Sequence, residues 1–153
     1  MEELIKKAEE KGIDVEDLII LALSRLDPQD SINLRLELAK KYLSEAEDYL
    51  SKGDVVQSSE KAYKVAEEVV KALAEKFNLT EYQQALKENR WYTYSLANAA
   101  GRLASKLGDW VKEGWDSAYV LHVWGFHKGK LDIDNVKVRL QAVKRLLEEA
   151  MKV

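Results

Sequence analysis

The chain reads LELAKKYLSEAEDYLSKGD over residues 36–54, and this stretch decides the fold class. Apolar residues recur in it at alternating spacings of three and four positions: Leu36, Ala39, Leu43, Ala46 and Leu50. Such a seam is typical of a helix that packs lengthwise against another helix. Gly53 suits the left-handed position at a helix end, and Asp54 suits the cap of the next helix. The stretch therefore predicts a chain reversal and an antiparallel helical hairpin.

The segments that follow carry the same helical period. The returning helix has its own apolar seam, formed by Ala62, Ala66, Val69 and Leu73. A similar stripe lies near the end of the chain, after a cap at Asp132 or Asp134: Val136, Leu140, Val143, Leu147 and Ala150. No segment alternates apolar and polar residues for long enough to form a half-buried strand. The sequence predicts an all-α fold, an antiparallel bundle of four or five helices.

The first 28 residues are predicted to form a short helical appendage that rests on this bundle. Asp14 suits the cap of a helix on which Ile19, Leu23 and Leu26 share one apolar face, and Asp27-Pro28 ends it. With 153 residues and 46% hydrophobic content, the chain has the size of one domain. We expect a single domain over residues 1–153, with the appendage in residues 1–28 and the bundle in residues 31–152.

The amino-acid composition argues against several classes of function. The chain has 24 basic and 27 acidic residues, which are mixed along its length and give a net charge of -3, so constitutive DNA binding is not expected. Cysteine is absent, which excludes disulfides, thiolate catalysis and cysteine-ligated metals. No apolar run approaches the roughly 20 residues that cross a bilayer. We expect a cytoplasmic protein without a membrane partner.

Both histidines and two of the four tryptophans fall in residues 115–131, which read WDSAYVLHVWGFHKGKL. The pattern predicts one helix from Trp110 to about Gly129. In a regular α-helix, five residues turn by about 500°, so His122 and His127 would point about 140° apart and could not chelate one metal ion. The sequence also lacks the His-x-x-x-His and Glu-x-x-His spacings of metal-binding bundles. We predict no metal site and no cofactor.

Two interpretations of His122 stay open. It is either a histidine at the edge of the core, bonded to a neighbouring helix, or a general base near neutral pH. A base needs an orienting acid, and Asp116 is six residues away, so no catalytic residue is predicted. The aromatic rings are either core or a stacking or partner face. The candidate binding residues are Trp91, Tyr94, Arg102, Trp115, Tyr119, His122, Trp124, His127 and Lys128.

An anion site is a weaker hypothesis. It requires that residues 81–107 fold against the aromatic helix, so that five cations converge: Arg90, Arg102, Lys106, Lys128 and Lys130. The alternative is that these are solvated surface charges. Neither of the glycine-rich phosphate loops, GxGxxG and GxxxxGK[ST], occurs in the chain.

The predicted hairpin resembles the helix pair of HEPN domains, the higher eukaryote and prokaryote nucleotide-binding family. The likeness lies in Tyr42 to Ala46, Gly53-Asp54, Gln57 to Tyr63 and Ala66 to Leu73. With the segment Leu121 to His127 added, the chain from about residue 31 resembles the archaeal PaREP family. The resemblance implies an antiparallel bundle, frequent dimerisation, and relatives that are toxin ribonucleases or partners of minimal nucleotidyltransferases.

The HEPN ribonucleases carry an arginine followed four to six residues later by a histidine on one helix. No arginine stands in that relation to His122 or His127. The preferred hypothesis is therefore a non-catalytic module, a homodimer that binds a nucleotide, an RNA end or a partner protein, with a minimal nucleotidyltransferase as candidate partner. The alternative is a metal-independent ribonuclease of toxin–antitoxin type, with His122 or His127 as base and Arg90 or Arg102 on the phosphate.

Overall fold

A computed structural model describes residues 1–153 and is helical throughout, which confirms the predicted all-α class. A single π-helix, Leu121–His127, continues directly from the seventh α-helix. The α-helices are α1 (Glu2–Glu10), α2 (Val15–Ser24), α3 (Pro28–Ser51), α4 (Val55–Lys76), α5 (Thr80–Glu88), α6 (Thr93–Leu107), α7 (Asp109–Val120) and α8 (Ile133–Ala150). None of these helices has both the length and the apolar composition that crossing a bilayer requires.

The α3–α4 hairpin is the centre of the bundle. Gly53 adopts a φ of 78°, and the Asp54 side chain accepts a hydrogen bond from the Gln57 amide at 3.1 Å, so the predicted turn and cap are confirmed. Ala39 and Ala46 of α3 are fully buried, and so are Ala62 and Ala66 on the facing seam of α4. Helix α4 also packs against α6, α7, the π-helix and α8. Helix α4 is therefore the central helix of the bundle.

Helix α8 closes the bundle beside α7. Asp132, and not Asp134, caps it by accepting a hydrogen bond from the Asn135 amide at 2.8 Å. The whole predicted stripe of α8 is buried. At the crossing with α7, a Cβ on Gly114 would lie 2.6 Å from the Leu146 Cβ, so glycine permits the close approach of the two helices.

The N-terminal helix α2 packs through a different face from its apolar stripe. Asp14 caps the helix as predicted, with its carboxylate 3.1 Å from the Asp17 amide. However, Ile19 and Leu26 are 61% and 84% exposed, while Asp17 and Leu21 are buried. The face that carries Ile19 is therefore not the face through which α2 packs on the bundle.

A buried ion cluster explains that orientation. Arg35, only 1% exposed, places its guanidinium 2.8 Å from both the Asp17 and Glu68 carboxylates, and Lys71 Nζ lies 3.1 Å from Asp17. Burial alone would raise the pKa of Asp17, but Lys71 and Arg35 overcome this and hold it below its ordinary value. Because leaving buried cations without a carboxylate is costly, Asp17 determines which side of α2 faces the bundle.

Candidate functional site

The π-helix brings the predicted aromatic segment against α4. In a π-helix each amide bonds to the carbonyl five residues earlier, as Lys128 does to Val123 at 3.0 Å. Gly125 faces Ser59 of α4 so closely that a Cβ there would lie 2.7 Å from the Ser59 Cβ. Glycine at this position therefore allows the π-helix to contact α4.

This backbone changes the relation between the two histidines. His122 Nε2 and His127 Nε2 lie 3.2 Å apart, with the rings edge to face. The prediction that the imidazoles diverge is wrong, because it assumed a regular α-helix. Residues five apart lie close together on a π-helix, whereas on an α-helix they are on different faces.

Glu60 of α4 orients the first of the two imidazoles. Its Oε2 lies 3.1 Å from His122 Nδ1. A carboxylate only accepts hydrogen bonds, so Nδ1 carries a proton, and in that tautomer Nε2 has the lone pair that faces His127. The result is a chain from Glu60 through His122 to His127. Sequence reasoning missed Glu60 and weighed Asp116, which lies 3.3 Å from Lys112 Nζ instead.

Flat rings surround this chain. His122 stacks on Tyr63 of α4 with the ring centroids 4.0 Å apart, and Tyr63 also contacts Trp115 at 5.9 Å. Burial and the nearby Glu67 carboxylate raise the pKa of Tyr63, so its phenol is neutral. We call the following set the histidine cluster: Glu60, Tyr63, Trp115, Tyr119, His122, Phe126 and His127.

The cluster includes four of the nine predicted binding residues: Trp115, Tyr119, His122 and His127. Trp124 is 50% exposed and pairs with no other ring, and Lys128 is exposed just beyond the π-helix. Trp91 is buried, and Tyr94 stacks on Tyr92 at 5.4 Å.

The remaining predicted residue, Arg102, is engaged elsewhere. Its Nε lies 3.0 Å from a Glu81 carboxylate oxygen. Lys106 lies over the Phe77 ring at 5.2 Å, and Arg90 over the Tyr92 ring at 4.4 Å. These three cations have separate partners, so the hypothesis that all five cations converge on one anion is wrong, and the alternative of separate surface charges stands.

Residues 34–147, more than half of the chain, match the model of the archaeal PaREP1/PaREP8 family. The chain belongs to this family. A crystal structure of a protein from Sulfolobus solfataricus is similar to it, with 40% sequence identity and a TM-score of 0.69 over 75% of this chain and 94% of that chain. No curated protein matches the chain. The resemblance to the PaREP family is thereby confirmed.

Within the PaREP1/PaREP8 match lie all residues of the histidine cluster. Helices α1 and α2 lie before it, and with them Asp17 of the buried ion cluster. The histidine cluster therefore belongs to the part of the chain that the family model describes. Helices α1 and α2, which we call the N-terminal hairpin, lie outside that part, and so does the contact that Asp17 makes with the bundle.

A polar cavity of about 440 Å³ lies where this hairpin meets α4 and the turn before α6. Its walls include Asp17, Glu67, Lys71, Arg90 and Trp91. Burial, with the negative charges of Glu68, Glu60 and Asp17, raises the pKa of Glu67 to about 7 against the opposing effect of Lys71. The indole N–H of Trp91 is buried without a hydrogen-bond partner. Sequence reasoning did not foresee this cavity, because its walls come from three separate segments of the chain.

Proposed function

We propose that this PaREP1/PaREP8 protein is a non-catalytic, HEPN-like module that binds a nucleotide or an RNA end at the histidine cluster. One observation carries the proposal: the His122 ring is stacked on Tyr63 at 4.0 Å while its Nδ1 is fixed by Glu60. An aromatic platform held in one orientation suits stacking by a nucleobase.

The outer part of the cluster offers the remaining contacts. Tyr119 and His127 are exposed, and Phe126 is partly exposed beside them. Tyr119 is therefore available to stack on a base, while the exposed His127 can turn its Nε2–H from His122 to a phosphate oxygen. Lys128 and Lys130 are exposed at the end of the π-helix and add positive charge there. The proposal thus assigns base recognition to the rings and phosphate recognition to the segment from His127 to Lys130.

The test is a thermal-shift and fluorescence-anisotropy titration with ATP and short labelled RNAs, all in EDTA. A ligand that binds only the folded state stabilises it by about 2.7 kcal/mol at a concentration of 100 Kd. We expect a dose-dependent shift that is lost in the double variant His122→Ala and His127→Ala and weakened in Tyr119→Ala. Trp124→Ala is the matched control, since Trp124 is an exposed ring outside the cluster. Wild-type protein that responds to none of these ligands would contradict the proposal and favour a protein partner.

The proposal includes a homodimer. Its support is the apolar stripe of α2 and the turn after it, where Ile19 and Leu26 face solvent and Leu23 is partly exposed between them. Exposed apolar side chains grouped on one helix face are typical of interaction surfaces. A second copy of the chain is the occupant that the resemblance to HEPN domains implies.

A minimal nucleotidyltransferase is the proposed protein partner, and only the resemblance to HEPN domains supports it. A nucleotidyltransferase gene adjacent to this one, whose product co-purifies with the untagged protein at equal stoichiometry, is the expected result. Co-expressed proteins that separate on a sizing column would reject this partner without bearing on nucleotide binding.

A second candidate function, metal-independent ribonuclease activity, is favoured by the Glu60, His122 and His127 chain. Glu60 supplies the orienting acid that a histidine base needs, and His127 supplies a second imidazole for proton transfer. Arg102 is held by Glu81, so it is not positioned for phosphate in this alternative. RNA cleavage in EDTA that disappears in the folded His122→Ala and His127→Ala variant would establish the enzyme. Absence of cleavage by the wild-type protein would leave the binding module.

A further inference from the structure

We propose that His122 and His127 together bind one divalent transition-metal ion of the zinc type through their Nε2 atoms. The proposal stands apart from nucleotide binding and is tested without any nucleotide. It starts from the separation of the two Nε2 atoms, which is 3.2 Å. Two imidazole nitrogens that bind one zinc ion at 2.0–2.1 Å in tetrahedral geometry lie about 3.3 Å apart. The pair is thus spaced for chelation.

The surroundings of His122 also fit a metal ligand. Metal-binding histidines usually donate their other ring N–H to a carboxylate, which fixes the tautomer and makes the binding nitrogen more basic. Glu60 accepts from His122 Nδ1 in this way at 3.1 Å. Stacking on Tyr63 holds the ring against rotation out of this orientation. His122 is therefore oriented with Nε2 towards His127 before any metal arrives.

Metal binding requires one change of tautomer. Without a metal, the 3.2 Å contact is a hydrogen bond in which His127 Nε2–H donates to His122 Nε2. When the ion binds, His127 carries its proton on Nδ1, which leaves both Nε2 lone pairs for the metal. The proton of His127 thus moves from its Nε2 to its Nδ1 and stays on the same ring. The ion takes the place of the hydrogen bond between the rings.

The coordination is open on the outer side. No third histidine, cysteine, aspartate or glutamate is grouped with the pair, so water or a donor atom from another molecule completes the shell. Two imidazoles select zinc, copper, nickel and cobalt over magnesium and calcium, which prefer oxygen ligands. An open position on an exposed ion is where an anionic group, such as a phosphate, coordinates.

The chain is well suited to a direct test, because His122 and His127 are its only histidines and it has no cysteine. Protein without a polyhistidine tag and with ¹⁵N-labelled histidine is titrated with ZnCl₂ at pH 7.5, with no nucleotide present. We expect both Nε2 resonances to shift together and to reach saturation at one equivalent, while the Nδ1 of His122 stays protonated. Unshifted ring nitrogens, a shift in one ring only, or saturation at two equivalents would each overturn the proposal.

Affinity measured by competition with a chromophoric chelator provides the second readout. Glu60→Ala should weaken zinc binding by about 10–100-fold, the usual effect of removing a carboxylate behind a ligating histidine. Glu60→Gln should weaken it less, since its amide oxygen still accepts from Nδ1. Glu148→Gln, which removes an exposed carboxylate from α8 outside the cluster, should leave the affinity unchanged. Equal affinity in wild type and Glu60→Ala would overturn the assigned role of Glu60. The nucleotide titrations are done in EDTA, so failure of one proposal does not imply failure of the other.

Discussion

Gly125 sets the distance between the π-helix and α4. Because a Cβ at this position would lie 2.7 Å from the Ser59 Cβ, Gly125→Ala must push the two helices apart or distort the π-helix. We expect the free energy of unfolding, measured by urea denaturation, to fall by about 1–3 kcal/mol. The His122 to Glu60 hydrogen bond should be lost at the same time, since Ser59 and Glu60 are adjacent on α4.

Gly101 provides the matched control. It lies within α6, it is exposed, and a Cβ there would meet nothing within 4 Å. Gly101→Ala should therefore stabilise the protein by about 0.5–1 kcal/mol through helix propensity alone. If the two variants change stability in the same direction, packing against Ser59 is not what requires glycine at residue 125.

Glu67 makes stability depend on pH. Its pKa is raised from 4.5 to about 7, so between these values the folded state holds a proton that the unfolded state releases. The free energy of unfolding should therefore fall as pH rises from about 4.5 to 7 and stay low above it. Glu67→Gln should be more stable than wild type at pH 8, by up to roughly 3 kcal/mol at 1.36 kcal/mol per pH unit. The gain should disappear near pH 4.

Urea denaturation between pH 4 and pH 8.5 checks this profile. Glu148→Gln, which removes an exposed carboxylate from α8, is the control and should leave the slope unchanged. Parallel profiles for wild type and Glu67→Gln would show that Glu67 titrates normally in the folded protein.

The two N-terminal helices, α1 and α2, contribute very differently to the free energy of unfolding. Helix α1 has no buried residue, so deleting residues 1–12 should change the free energy of unfolding by less than about 1 kcal/mol. Deleting residues 1–26 also removes Asp17 from Arg35 and Lys71. Loss of one partner from a buried ion pair typically costs about 3–5 kcal/mol. Thermal and urea denaturation of the two truncated proteins measures the difference.

Asp17→Leu in the full chain separates charge from contact area, because it removes the carboxylate but leaves α2 in the chain with its buried apolar side chain Leu21. A loss similar to that of the longer deletion assigns the stability to the ion cluster. A loss close to zero would mean that Arg35 and Lys71 are satisfied without Asp17.

The elements differ in how well sequence predicts them. The seams of α3, α4 and α8 were predictable, because small and aliphatic residues recur there over several turns and only one face can be buried. Helix α2 has apolar residues on nearly every side, so hydrophobicity alone does not show which face packs on the bundle. The ion pairs of the buried Asp17 carboxylate determine that face. The π-helix was not predictable either, because its hydrogen-bond register has no signature in residue type.

The candidate site likewise has a part that the sequence predicts and a part that only the packing of the helices reveals. The sequence predicted His122, Tyr119 and Trp115 as site residues, because they lie together in one aromatic segment of a predicted helix. It gave no sign of Glu60, which lies 62 residues from His122 and reaches it only through packing of α4 on the π-helix. The error about the two histidines follows directly from the missed π-helix.

At the scale of the whole molecule, α4 connects two polar regions. Near its start, Glu60 and Tyr63 contact the π-helix, and towards its end Glu68 and Lys71 bind the N-terminal hairpin through Asp17 and Arg35. Glu67 lies between the two regions, and the charge of Glu60 contributes to its raised pKa. A ligand that changes the charge near Glu60 should therefore also change the titration of Glu67.

The proposed dimer is a property of the whole molecule and depends on the exposed stripe of α2. Ile19→Asp places a charge at one end of that stripe, where the side chain is 61% exposed, so the fold should be retained while self-association is lost. Sedimentation equilibrium should give a dimer for wild type and a monomer for Ile19→Asp. Val138→Asp, at an exposed position on α8, is the control and should remain dimeric. A dimer that survives Ile19→Asp would place the interface elsewhere, and a monomeric wild type would reject the homodimer.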